Sequence, residues 1–271
     1  MKKLGLCLSG GGARGAFQVG AFKALEELGI LKLVSVYSGT SIGSVNASLI
    51  STKPVAEVER IWLTIEPDAL SRSESLFKRI IKEKASFVDN GVYKIDELGA
   101  MIDLHLDFDL LRQKDVFITL SQGGFVDDGL FGLFKSSYQH YIKKETQAIY
   151  VPVKEHSNTE IKQMILASCS IPIVFPPVKL LDREYYDGGV YDNVPVKPLV
   201  DDGCDTVIVI HLHRLNFIDK SSFPGINIIE VKHRGTLGGY LNFEPERSQK
   251  LMNLGYQDTI EVLKKHSFPV C

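Results

Sequence analysis

The sequence predicts an α/β fold built on a mostly parallel sheet, and three observations carry that expectation. Short apolar runs alternate with stretches of helical period, as in KLGLCLS followed by the residues after Arg14. The first two such runs each end in a glycine turn that opens a helix, GGGARG at residues 10–15 and GTSIG at residues 39–43. Strand composition then returns at Val116–Leu120, Ala148–Val153 and Thr206–Leu212.

Taken in order, Lys3–Ser9 reads as a buried strand and Arg14–Leu28 as a helix ending at Gly29, with Phe17, Ala21, Ala24, Leu25 and Leu28 close to helical spacing. Leu33–Tyr37 is a second strand, followed by a tight turn and a helix to about Ile50. Beyond Pro54 the chain turns more polar. KPVAEVERIWLTI and Lys94–His105 read as surface helices, with SFVDNG as the loop between them. Val178–Tyr186 reads as a strand running into a turn at Asp187-Gly188-Gly189, Ile226–Val231 as a late strand, and Glu244–His266 as a final helix broken near Gly255. With neither an internal repeat nor a linker-like tract, the expectation is a single domain over residues 1–271, with residues 55–110 as a helical insertion or cap.

The composition, 44% apolar and 24% charged, is that of an ordinary globular chain. A formal net charge of −2 gives no footing for nucleic acid, and no apolar run approaches the roughly 18 residues a membrane-spanning helix needs. The apolar stretch at the start, Leu4–Leu8, is shorter than the ~7–15-residue core of an export signal. Cys7, Cys169, Cys204 and Cys271 are scattered, without metal-type pairing, and read as reduced thiols. The expectation is therefore a cytoplasmic protein without a metal.

The glycine loop admits two readings. Gly10, Gly12 and Gly15 satisfy G-x-G-x-x-G between a strand and a helix, which fits a dinucleotide site. That site would need an acidic residue at the end of the second strand to hold a ribose, yet the chain there reads Val36-Tyr37-Ser38-Gly39. A Walker-type lysine is missing too. After the second strand stands Gly39-Thr40-Ser41-Ile42-Gly43, the G-x-S-x-G pattern of a nucleophile elbow. In that pattern a serine sits on a strained strand-to-helix turn, and the glycines relieve crowding by neighbouring chain. If the two strands are adjacent and parallel, both turns lie at one edge of the sheet. Backbone N–H groups of Gly11 and Gly12 can then face the oxyanion formed when Ser41 attacks a carbonyl.

A serine nucleophile needs a base. The downstream histidines, His211, His213, His233 and His266, carry no distinguishing pattern and read equally as core or surface imidazoles. Asp187, at the end of an aromatic strand and before two glycines, is held on a tight turn. It reads either as a base or as an ordinary turn aspartate.

The ordered set Gly10-Gly11-Gly12-Ala13-Arg14-Gly15, Gly39-Thr40-Ser41-Ile42-Gly43 and Asp187-Gly188-Gly189 resembles the patatin-like phospholipase family. Ala167-Ser168-Cys169-Ser170-Ile171-Pro172 and Asn193-Val194-Pro195 extend the resemblance, which runs over residues 10–195. It implies a three-layer α/β/α fold and a serine lipid acyl hydrolase that cleaves fatty-acyl esters, as a phospholipase A or lysophospholipase does, through a Ser41–Asp187 dyad and an acyl-enzyme. It assigns the oxyanion role to Gly10, Gly11 and Gly12 and requires no cofactor. Ser168 and Pro172 would shape the pocket. Arg14 matches a basic position that would support the loop or meet substrate; its alternative is a surface arginine at a helix start. The implied partner is a phospholipid or other acyl ester, met in transient contact with a membrane surface. The same dyad would serve a thioesterase or acyltransferase, and a catalytically silent lipid- or protein-binding scaffold is the alternative of a different class. Leu76–Ile81 and Phe131–Phe134 read as core, or as the lining of a lipid entrance.

Overall fold

The computed structural model describes residues 3–65, 95–122, 148–170, 178–180 and 183–266. Leu76–Ile81, the SFVDNG loop, Phe131–Phe134, Pro172 and Cys271 lie outside the described residues.

Strand β1 (Leu4–Leu8) is buried at all five positions, because the sheet is covered on both faces. It pairs in parallel with β2 (Val34–Thr40) on one side and β7 (Thr206–His211) on the other. The parallel run continues from β2 to β3 (Asp115–Gln122) and from β7 to β8 (Asn227–Lys232). Three antiparallel strands complete the eight-stranded sheet: β4 (Ala148–Pro152), β5 (Val178–Leu180) and β6 (Arg183–Asp187). The region expected as a single strand over Val178–Tyr186 is thus the antiparallel pair β5 and β6.

Period-two alternation divides the strands between two cores. Leu4, Leu6 and Leu8 of β1 and Ile208 and Ile210 of β7 enter the larger one. Cys7, Val207 and Val209 enter the smaller, with Val196, Leu199 and Ile218. The larger core lies under α1 (Ala16–Glu27), α2 (Ile42–Thr52), α3 (Val55–Thr64), α4 (Ile95–His105), α5 (Phe108–Leu111), α6 (Asn158–Ser168) and α8 (Pro245–Leu263). The smaller lies under α7 (Lys197–Asp201). The result is a mostly parallel sheet flanked by helices. Helix α3 is amphipathic, with Val55, Val58, Ile61 and Trp62 buried.

Helix α8 runs unbroken through Gly255, contrary to the break expected there. The glycine serves close packing. A Cβ at Gly255 would collide with the Phe17 carbonyl of α1, and one at Gly20 of α1 would collide with the Met252 carbonyl. The two helices therefore meet backbone to backbone, and the packing outweighs the low helix propensity of glycine.

Candidate active site

Strands β1 and β2 are parallel neighbours, so their C-terminal turns share one sheet edge. After β2, Ser41 adopts φ 54° and ψ −129° and caps α2. It is the only non-glycine residue with positive φ among the described residues. Such a conformation costs on the order of 1–3 kcal/mol and persists only where its surroundings enforce it. Here the enforcement is visible. A Cβ on Gly39 would collide with the Gly43 carbonyl, and one on Gly43 with the Leu8 carbonyl. The Ser41 N–H donates to Ser168 Oγ at 2.9 Å, and the Ser168 hydroxyl donates to the Thr119 carbonyl at 2.8 Å. The Ser41 carbonyl accepts from Ser44 N at 2.8 Å and from Ser44 Oγ at 2.7 Å.

Sheet register delivers Asp187 to the same place. Thr40 lies opposite Thr119 on β3, and Asp187 lies opposite Leu120. Because β4 occupies one edge of β3 through Ser121, β6 must take the other edge, just beyond the end of β2. Ser41, next after Thr40, and Asp187 are thereby brought together. Asp187 N donates to the Ser170 carbonyl at 3.0 Å, and Asp187 Oδ1 accepts from Gly189 N at 2.7 Å. Both members of the pair are buried, Ser41 at 7% exposure and Asp187 at 6%. Burial raises the Asp187 pKa to about 6, while hydrogen bonding from the Ser41 hydroxyl and from the Gly189 N–H works in the opposite direction.

The segment after Asp187 is tied across the sheet edge. Gly10 N donates to the Asn193 carbonyl at 3.3 Å, Thr40 Oγ1 to the Asp192 carbonyl at 3.0 Å, and Ser38 Oγ to the Pro195 carbonyl at 2.6 Å. Tyr150 donates to Asp192 Oδ2 at 2.6 Å, and burial raises the Asp192 pKa.

In the glycine loop, a Cβ on Gly10 would lie 3.2 Å from Ser41 Cβ and would strike the Asn193 amide oxygen. The loop thus passes tightly between the elbow and the Asn193 side chain. Since the Gly10 N–H is turned to Asn193, the donors left open are those of Gly11 and Gly12, which have no backbone acceptor among the described residues. Gly12 has φ +55°, the left-handed region, with its Cα against the Tyr240 carbonyl.

Arg14 is not a surface residue. The residue is buried at 9% exposure, and its guanidinium donates from Nε to the Gly238 carbonyl at 2.7 Å and from one terminal nitrogen to the Leu212 carbonyl at 3.3 Å, and stacks 3.7 Å from the centre of the Tyr240 ring. Each of these contacts holds the loop. Below it, Gln18 donates to the Ser9 carbonyl at 2.8 Å, Asn46 donates to Gln18 Oε1 at 2.8 Å, and Trp62 donates to Asn46 Oδ1 at 2.9 Å. Neither this buried network nor the Tyr240 contact has a spacing signal in the sequence.

Two of the four candidate histidines are engaged by carboxylates other than Asp187. His211 Nε2 lies 3.0 Å from Glu230, and His233 Nδ1 lies 2.7 Å from Asp258. Burial lowers the His211 pKa, and its neighbour Glu230 is held down to about 2 by the hydrogen bond with His211 and by Lys220. Cys7, Cys169 and Cys204 are free and buried. Among the described residues no group of three metal-ligating side chains converges, and no helix is long and apolar enough to cross a membrane.

Comparison with known proteins gives the same order of motifs a family context. A family model described as Patatin-like phospholipase matches residues 6–200. Lysophospholipase nte1 of Aspergillus terreus is 25% identical over 214 residues, which covers 77% of this chain. The chain spans 12% of that relative's length and 32% of the mycobacterial relatives it matches. Among solved structures, ExoU of Pseudomonas aeruginosa, in its complex with SpcU, aligns over 97% of this chain and 51% of its own, with a TM-score of 0.54 at 19% identity. Human GIVD cytosolic phospholipase A2, in complex with methyl gamma-linolenyl fluorophosphonate, aligns over 97% of this chain and 57% of its own, with a TM-score of 0.50 at 11% identity. At these identities the structural likeness is one of fold.

Proposed function

The chain belongs to the patatin-like phospholipase family, and on that premise we propose that it is a serine lipid acyl hydrolase working through Ser41 and Asp187. The observation that carries the reading is the pairing of a serine on a strained elbow with a buried carboxyl whose pKa is raised to about 6. An exposed aspartate, near ~3.9, would be a poor base for an alcohol. Burial moves Asp187 toward the working pH and excludes competing water, while leaving it ionised at neutrality.

In the reaction, Ser41 Oγ forms a bond to the ester carbonyl carbon as its proton passes to Asp187. The carbonyl oxygen becomes an oxyanion facing the open N–H groups of Gly11 and Gly12, with Gly10 supplying the close approach and Arg14 the rigidity of the loop. Collapse breaks the ester C–O bond, and the leaving alcohol takes the proton from Asp187. Water then attacks the acyl-enzyme, giving its proton to Asp187, and the second collapse releases the fatty acid and returns the proton to Ser41.

The lysophospholipase name of a relative and the phospholipase name of a fold neighbour favour a phospholipid or lysophospholipid ester met at a lipid surface. Free thiols at Cys7, Cys169 and Cys204 fit a reducing compartment such as the cytoplasm. The test is fluorophosphonate labelling followed by intact mass on wild type, Ser41→Ala and Asp187→Asn. One adduct is expected on wild type, none without Ser41, and a much slower one without Asp187. A folded wild type that takes no adduct would count against an activated serine.

A further inference from the structure

We propose that the turn Arg214-Leu215-Asn216-Phe217 is a lipid-surface anchor, in which Leu215 and Phe217 enter the apolar edge of a phospholipid layer and Arg214 meets anionic headgroups. The inference rests on the reading of the site as a lipid acyl hydrolase.

Leu215 is 73% exposed and Phe217 83%. Single exposed apolar side chains are ordinary, but their placement here is not scattered. Of the five large apolar side chains exposed among the described residues, Leu215 lines a pocket with Arg14, Tyr240 stacks on Arg14, and Phe217 lines a neighbouring pocket with Leu215 and Asn193, the residue whose carbonyl accepts from Gly10 N. Tyr240 stacks on Arg14, and its carbonyl accepts from Ala13 N at 2.6 Å. Leu212, three residues before Leu215, packs on Gly11, and its N–H donates to Ser9 Oγ at 2.8 Å. Arg14, Arg214 and Leu215 line one pocket of about 220 Å³. The apolar tip therefore stands at the rim of the face that carries the oxyanion loop.

The tip is held out by construction. Leu212 and Ile218, on either side of it, are buried. Between them Asn216 N donates to the His213 carbonyl at 3.1 Å, Leu215 N donates to His213 Nδ1 at 3.1 Å, and Lys232 Nζ donates to the Asn216 carbonyl at 2.5 Å. A turn fixed in this way projects its apolar side chains without the entropy cost of ordering them on contact. Arg214 is exposed and has no carboxylate partner among the described residues. A cation beside protruding leucine and phenylalanine complements an anionic lipid interface in both charge and polarity.

The experiment uses the full chain with phosphatidylcholine vesicles, with and without phosphatidylglycerol, and reads vesicle co-flotation beside hydrolysis of vesicle phospholipid and of a water-soluble nitrophenyl ester. The Leu215→Asp/Phe217→Asp double variant should lose about tenfold or more in vesicle affinity, and should lose vesicle hydrolysis in step while keeping soluble-ester turnover. Arg214→Gln should weaken binding to the anionic vesicles and leave binding to phosphatidylcholine alone unchanged. Wild type that stays off both vesicles would overturn the proposal. So would a double variant that binds as wild type does, which would leave the patch to a protein partner. Vesicle binding that is lost with the double variant, in a protein without any esterase activity, would support the anchor and count against the catalytic reading instead.

Discussion

The N–H of Ser41 donates to Ser168 Oγ across 2.9 Å, so the end of α6 holds the strained residue of the elbow from behind. Removing the hydroxyl would leave a buried N–H without a partner, which typically costs ~1–3 kcal/mol. Ser168→Ala should therefore lower stability by about that amount in urea denaturation. It should also slow fluorophosphonate labelling of the protein that remains folded, because the elbow can relax. A stability loss with an unchanged labelling rate would reduce Ser168 to a packing role.

In the proposed mechanism Ser41 and Asp187 act as a unit, so Ser41→Ala and Asp187→Asn should each lower ester turnover by about a thousandfold or more. Their folds should stay intact by circular dichroism. Activity retained in Asp187→Asn would point to another base.

In the role proposed for it, Asp187 sets opposite pH dependences for activity and stability. As a base it must be ionised, so kcat/KM on a soluble ester should rise with pH and level off above about 6. Because the folded-state pKa lies above the ordinary 3.8, the folded protein holds this proton more tightly than the unfolded chain. The stability it contributes is present below the unfolded pKa and is lost as pH rises through about 6. Asp187→Asn, which abolishes that loss, should be more stable than wild type at pH 8, by up to about 3 kcal/mol. Thermal denaturation at pH 5 and pH 8 would read the difference, and an equal gain at both would contradict the assignment.

Gly255→Ala tests the helix contact. Propensity alone would favour alanine in a helix interior by about 1 kcal/mol. The new Cβ would meet the Phe17 carbonyl, a backbone atom that cannot swing aside. Overpacking of this kind costs ~1–3 kcal/mol, so the melting temperature should fall. A rise would mean that the two helices separate easily.

His211 supplies the negative control. Its Nε2 is committed to Glu230 at 3.0 Å, and its side chain is buried. His211→Ala should cost stability, since it leaves Glu230 without its main partner, yet the folded fraction should turn over ester like wild type. Loss of activity without unfolding would restore a histidine to the mechanism.

The sequence by itself determined the local features of this protein. Glycines at 12, 39 and 43 mark backbone that must pass close to other backbone, and those at 10 and 11 mark backbone pressed against the Asn193 and Leu212 side chains, a requirement written in residue type. The near-continuous apolar runs of β1 and β7 likewise mark a sheet covered on both faces. Gly255 misleads because a glycine that breaks a helix and one that admits a neighbouring helix look alike until the neighbour is known. What only the tertiary structure decided is the company each residue keeps. Asp187 stands 146 positions after Ser41, and nothing local separates it from an ordinary turn aspartate. Its place comes from β6 taking the edge of β3 where β2 ends, so that Thr40 and Asp187 face Thr119 and Leu120 in turn. The burial of Arg14 and the grip of Ser168 on the elbow arise in the same way. Periodicity and residue type record what a segment needs from its own backbone, whereas long-range register and burial are fixed only when the strands pair.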